Sequence, residues 1–249
     1  MPLRIVTFNI HKGFAALNRE FTLAKLKASL RDLEPDVAFL QEVVGRHDGR
    51  ARKTVDWPTQ PQFEFLADSV WPHFAYGRNA LYPDGHHGNA VLSKFPITSW
   101  RNEDVSNNRL ERRGLLHCTV HVPEVARPVH LLCVHLDLTE RGRRLQLARL
   151  TSHVREHVPA AAPFVLAGDF NDWRKRASGI LYAEIGMVEA YEALHGVAAK
   201  TFPAALPMLA VDRIYSRHLI PTSARVLRGE RWRRLSDHAP LLATFDFPA

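Results

Sequence analysis

Residues 164–173 read Phe-Val-Leu-Ala-Gly-Asp-Phe-Asn-Asp-Trp. Four apolar residues stop at Gly168, and Asp169, Asn171 and Asp172 follow within four positions. A short apolar run closed by glycine and acids predicts a buried strand that ends in a polar loop. If the two-residue period of the strand continues, Asp169 and Asn171 point to the same side. An acid beside an amide at a strand end could bind a metal, orient a water or hold a phosphoryl oxygen. It could equally cap the next helix. The flanking sequence has to choose between these.

Upstream, Leu3–Ile10 is rich in β-formers and predicts an internal strand ending at Asn9 and His11. Leu23, Leu26, Leu30 and Leu33 recur at three- and four-residue steps, which predicts a helix with one apolar face, stopped by Pro35. Val37–Leu40 is a second apolar run, closed by Gln41 and Glu42. Strand, helix, strand with polar residues at both strand exits argues for an α/β arrangement, in which ligands gather at strand ends. Asn9 and Glu42 are therefore candidate site residues. Residues 45–62 read as a long polar loop and 100–113 as a polar loop with four arginines. Tyr82–Gly88 reads as a turn. Asn89–Phe95 reads as a strand, and Gly114–Val122 with Val129–Leu136 as an antiparallel pair ending in His135. Helices are expected after Thr139 and across 177–185. Short strands are expected at 211–215 and 224–227, and a very apolar, central strand at 240–247, just after Asp237 and His238.

The chain has 249 residues, 46% of them hydrophobic, and no low-complexity linker or internal repeat divides it. One domain over 1–249 is expected. The 33 Lys and Arg against 26 Asp and Glu give a net charge of +7, which favours an anionic partner: nucleic acid, a phosphate ester or an anionic lipid surface. Cys118 and Cys133 lie in apolar runs without metal-ligand spacing, so buried free thiols and a cytoplasmic location are expected. The apolar run before Asn9 is too short for a signal peptide, and no stretch reaches membrane-spanning length.

Polar groups thus close several separate strands: Asn9, Glu42, His135, Asp169 with Asn171, and Asp237 with His238, while Asp212 opens another. In order along the chain, TFNIHKG, FLQEV, GNAVLSKFPI, VHLD, AGDFND, VDRIY and SDHAPL resemble the motifs of the endonuclease/exonuclease/phosphatase superfamily, the DNase I-like phosphoesterases. The resemblance implies a four-layer α-β-β-α sandwich with two mixed sheets packed face to face. It also implies hydrolysis of a phosphoester with a divalent cation, usually Mg2+, with Mn2+ as a possible substitute. Glu42 resembles the main metal ligand, with Asn9 and Asp237 completing that site. Asp169 resembles the residue that aims or deprotonates the attacking water, and Asn171 the amide that holds the water or the phosphate. His238 resembles the phosphate-contacting histidine, Asp212 the carboxylate that orients it, and His135 a second histidine acting as acid or phosphate contact. His11 stands where part of the family has an aspartate, so one firmly held ion is expected and a second is left open.

The donor types agree with this independently, because Mg2+ prefers carboxylate, amide and water oxygens and no cysteine cluster is present for zinc. Basic residues adjoin three of the motifs: Arg141, Arg143 and Arg144; Arg174, Lys175 and Arg176; Arg231, Arg233 and Arg234. With Trp173 and Trp232 they could stack on bases and hold a nucleic-acid backbone, or lie at a lipid headgroup layer. His11, Asn89, Arg113, Trp173, Arg174 and Arg233 are the substrate-binding candidates. Nucleic acid is favoured slightly over phospholipid, for which Pro203–Leu209 is a candidate apolar loop. A small-molecule phosphatase and a catalytically silent anion-binding module are the alternatives.

Overall fold

The computed structural model describes residues 2–68, 70–108, 111–123 and 125–248. Its strands are β1 (Leu3–Asn9), β2 (Val37–His47), β3 (His73–Tyr82), β4 (Gly85–Ser93), β5 (Ile97–Asp104) and β6 (Gly114–Val120), then β7 (Val129–His135), β8 (Phe164–Asp169), β9 (Val188–Glu189), β10 (Asp212–Arg217), β11 (Ile220–Val226) and β12 (Leu241–Asp246). Its helices are α1 (Leu23–Leu33), α2 (Asp48–Ala51), α3 (Gln62–Ala67), α4 (Glu140–His157), α5 (Arg176–Ile185), α6 (Ala190–His195) and α7 (Glu230–Arg233).

Two six-stranded sheets form, in the orders β11-β12-β1-β2-β4-β3 and β5-β6-β7-β8-β10-β9. Both are mixed. The first contains the parallel pair β1/β2, joined through α1, and the second the parallel pair β7/β8, joined through α4. Each pair is a strand–helix–strand unit, because a parallel partner needs a crossover and a helix is the usual one. Alternation along the strands sorts the side chains into three apolar layers. Leu3, Ile5, Val37, Phe39, Leu131, Cys133, Val165, Ala167, Ile214 and Ala243 pack between the sheets. Val6, Phe8 and Leu40 face α1 on one outer side. Leu132, Val134 and Leu166 face α4 and α5 on the other. This is the expected four-layer sandwich, with helices covering both outer faces.

Several local expectations change. Residues 45–62 are not one loop: β2 runs on to His47, α2 follows, and Trp57 stacks on Phe21 at 5.1 Å between centroids. Residues 97–104 form the edge strand β5, whose side chains are mostly exposed, so its sequence lacked the apolar alternation of a half-buried strand. Arg109 and Leu110 of the expected loop lie outside the described residues. The turn at 82–88 is narrower, because β3 and β4 pair as far as Tyr82 and Gly85. The apolar final strand β12 is second from the sheet edge rather than central; its apolar character comes from covering on both faces, since Leu241, Ala243 and Phe245 pack between the sheets and Leu242 in the helical layer. Cys118 and Cys133 are buried free thiols, and burial pushes Cys133 up to about 12.

Candidate active site

The inward-facing positions of the strands stay apolar until the strand ends, where they turn polar at one edge of the sandwich. β7 and β8 pair with His135 opposite Asp169, and β8 and β10 pair with Asp169 opposite Asp212. Three adjacent strands therefore present His135, Asp169 and Asp212 in one row. Across from them, Asn9 ends β1 in register with Gln41 of β2. The two sheets meet at this edge through Asn9 Nδ2, which donates to Asp169 Oδ2 at 3.2 Å.

Glu42 reaches the same edge by a different route. Gln41 has the inward parity and packs against Thr7 and Cys133, so strict alternation would send Glu42 toward the helices. The β2/β4 register slips between Leu40 and Val43, and Glu42 takes a left-handed backbone, φ 57°. His11, Lys12 and Asn171 share that unusual conformation at φ 46°, 59° and 50°. Non-glycine residues rarely sit there, and such positions cluster where function over-determines the backbone. At Asn171 it replaces the strand continuation expected from sequence: the Asn171 amide N–H donates to Asp169 Oδ1 at 2.9 Å and Nδ2 donates to the Leu136 carbonyl at 2.9 Å.

A cleft of about 240 Å³ opens over these groups, lined by Asn9, Glu42, Arg113, His135, Asp169, Asn171 and His238 on its polar side. Leu138, Trp173, Phe202, Leu209 and Val211 line the rest. His238 Nδ1 lies 2.9 Å from Asp212 Oδ2, which also accepts from the Thr201 hydroxyl at 2.5 Å. His238 Nε2 lies 3.8 Å and His135 Nε2 3.5 Å from Asp169 Oδ2. Burial opposes a charged His238 ring, but the carboxylates of Asp212, Asp169 and Asp237 outweigh it and raise the ring to about 10. Burial, with Arg113 and His238 nearby, holds His135 well below its ordinary value despite Glu42. Two histidines in one cleft thus have opposite charge states at neutral pH. Burial and the neighbouring Asp212 charge raise the Asp169 carboxyl, against the pull of His238.

Asp169, Asp212 and His238 bring three donor atoms within 4.8 Å of one another, a candidate metal-coordinating cluster. Glu42, at the other side of the cleft, holds a cation already: Lys12 Nζ donates to its Oε2 at 2.6 Å. Burial would raise the Glu42 carboxyl, yet Lys12 and His135 hold it well below the usual carboxylate range, so it is ionised. Asp237 sits on the same side as Asn9, with His11 Nδ1 3.5 Å from its Oδ1 and Ser236 Oγ bridging to the Asn9 carbonyl at 2.7 Å. The oxygen donors of Glu42, Asn9 and Asp237 suit a hard dication. In the other cluster, His238 already holds a proton against Asp212, and a dication there would have to displace it. On the Glu42 side the ionised carboxylate already faces one cation, the Lys12 ammonium.

A model of the endonuclease/exonuclease/phosphatase family matches residues 6–238. The chain belongs to that family. It is 46% identical over 240 residues to YbhP of Escherichia coli (strain K12), covering 96% of this chain and 94% of YbhP. Among solved structures, an endonuclease/exonuclease/phosphatase from Beutenbergia cavernae superposes with a TM-score of 0.81 at 22% identity, covering all of this chain and 72% of that one. One from Bacteroides vulgatus gives 0.76 at 19% identity over the whole of both chains. These two likenesses are of fold, and the family membership joins that fold to metal-dependent phosphoester hydrolysis in general.

The remaining candidates divide. Arg113 lines the cleft and is braced by the Leu136 carbonyl and Glu111. Trp173 lines it too, under the Arg143 guanidinium at 4.6 Å. Asn89 braces the sheets, its Nδ2 donating to the carbonyls of Gly114 and Cys133 at 3.2 and 3.4 Å. Arg174 and Arg233 do not line the cleft. Arg174 and Arg176 are engaged by Glu140, and Arg233 and Arg234 by Glu230. Trp232 is buried against Phe8 in the helical layer. In two of the three basic clusters arginines are thus engaged by carboxylates, Glu230 close by in sequence and Glu140 far away, so those two support a nucleic-acid groove less than their positions imply, while Arg141 and Arg144 of the third have no ion pair among the described residues. Lys12 and Thr201 were not singled out from sequence. The adjacency of Lys12 to Asn9 carried a signal; nothing local marks Thr201, which meets Asp212 only through the fold.

Proposed function

We propose that this chain is a magnesium-dependent phosphodiesterase that hydrolyses its substrate by attack of a water aimed by Asp169. The observation that carries the reading is the convergence of Asn9, Glu42, His135, Asp169, Asn171 and His238 on one cleft. Glu42, Asn9 and Asp237 would hold Mg2+, or Mn2+ in its place, and the ion would supply neutralisation of phosphoryl charge. Asp169 accepts from the Asn9 amide and the Asn171 N–H, which hold the carboxylate in place. Its raised affinity for a proton suits a base near neutral pH. Water oxygen bonds to phosphorus, its proton passes to Asp169, and the ester oxygen departs with a proton. His238 is the ring of the two that keeps its proton, so it is placed to contact a phosphoryl oxygen or protonate the departing group, with Asp212 and Thr201 fixing its orientation. His135, kept neutral, is left as a phosphate contact rather than an acid.

The test is turnover of a soluble diester, bis(p-nitrophenyl) phosphate, against Mg2+ concentration. Removing a positioned base costs about 10²–10⁴ in rate, so Asp169→Asn should lose that much kcat while its Mg2+ affinity, measured by calorimetry, stays near the parent's. Glu42→Gln should lose affinity for the ion. Full activity of both variants at limiting Mg2+ would refute the assignment.

A further inference from the structure

The mouth of the cleft is apolar on two opposite sides. On one side, Phe202–Val211 contains no charged residue. Its backbone is closed on itself: Phe202 and Leu209 exchange N–H···O bonds at 3.1 and 2.8 Å, the Met208 N–H donates to the Phe202 carbonyl at 2.9 Å, and the Leu206 N–H donates to the Pro203 carbonyl at 3.0 Å. The Ala204 N–H ties the loop to the Asp237 carbonyl at 2.7 Å. The loop turns large side chains outward: Leu206 is 66% and Met208 57% exposed. On the facing side, Leu138 is 57% exposed and Trp173 41%. Scattered exposed apolar residues need no explanation, but a rim of them around a cleft marks a contact surface. Behind Leu138 and Trp173 stand Arg141, Arg144 and Lys175, all exposed and without an ion pair among the described residues.

We propose that this rim is a docking surface for a bilayer of anionic phospholipid, into whose headgroup layer Leu206, Met208, Leu138 and Trp173 insert while Arg141, Arg144 and Lys175 meet the lipid charge. Three observations select a membrane over a polynucleotide. The loop whose tip reaches the rim has no cation to offer a phosphate backbone. Arg174 and Arg176 are held by Glu140. An apolar rim beside basic residues is the arrangement that binds charged interfaces. The surface rests on the phosphodiesterase reading only for the purpose of bringing the cleft to the membrane. Docking itself is read without turnover.

The experiment is co-sedimentation with vesicles of equal parts phosphatidylcholine and phosphatidylglycerol, in excess chelator so that no hydrolysis occurs. The parent is compared with L206S/M208S, whose two side chains do not line the cleft. The parent should bind, and the double variant should bind about tenfold more weakly or worse. Both should hydrolyse bis(p-nitrophenyl) phosphate at the same rate once Mg2+ is restored, which excludes misfolding. Failure of the parent to bind, or equal binding by the variant, would overturn the proposal. So would binding to a single-stranded oligonucleotide that only the parent retains, which would give the rim to nucleic acid. Docking by the parent and not the variant, with no diester turnover by either, would uphold the surface and sink the chemistry above.

Discussion

Replacing Lys12 by methionine tests whether its ammonium holds the place of the metal. Lys12 Nζ is 2.6 Å from Glu42 Oε2, with the two side chains 24% and 19% exposed, so the pair is shielded but not dry. A hydrogen bond between charged groups contributes about 1.5–3 kcal/mol net. A dication that takes Glu42 must break this bond first, and about 2 kcal/mol of competition corresponds to roughly 30-fold in affinity at ~1.4 kcal/mol per decade. Lys12→Met should therefore bind Mn2+ or Mg2+ about 30-fold more tightly, measured by calorimetry without substrate. The metal-free variant should also be less stable, because a largely buried carboxylate is left unpaired, and saturating metal should restore it. Unchanged or weakened metal affinity in the variant would refute the reasoning and show that ion and ammonium do not share a position.

Other outcomes follow from the same geometry. Asp212→Asn should bring the alkaline limb of kcat/KM down by about one pH unit or more. The raised His238 ring contributes stability fully below about pH 6.5 and loses it as pH rises through about 10, and without Asp212 that loss comes earlier. His117 predicts acid sensitivity away from the cleft: it is hydrogen-bonded between His153 at 3.0 Å and His130 at 2.9 Å, and His153 reaches Glu103 at 2.6 Å. Burial first, then His153, His130, Arg101 and His157, hold His117 down to about 3. The unfolded chain takes up this proton below about pH 6.5 and the folded one does not, so stability present above that pH falls by ~1.4 kcal/mol per unit. Urea unfolding at pH 5 should show a loss of about 2 kcal/mol relative to pH 7, and equal midpoints and slopes at the two pH values would exclude it. Gly168→Ala should abolish folding, since φ is +149° and a Cβ would lie 1.9 Å from the Val134 carbonyl oxygen; soluble, fully active protein would contradict this.

Legibility followed the range of the interactions. Asp169, His135 and Asn9 announced themselves because each ends an apolar run at the parity that faces inward, a local pattern. The Asp–His pair of Asp212 and His238 was legible only through the resemblance of VDRIY and SDHAPL to family motifs, since 26 residues separate the partners. The edge strand β5 was read as a loop because an edge buries too little to impose alternation. The arginine clusters could not be weighed from sequence, because charge in sequence counts every arginine, whereas Glu140, which engages Arg174 and Arg176, lies 34 and 36 positions away.

The sequence by itself therefore determined the strand–helix–strand units, the polar strand ends and the family, all of which are carried by periodicity and short motifs. Only the tertiary structure decided that Glu42 turns into the cleft through a slipped register, that Lys12 rests on it, which histidine is charged, and that the mouth is apolar on two sides. Those outcomes depend on burial and on distances between residues far apart in the chain, and neither quantity exists until the two sheets have packed.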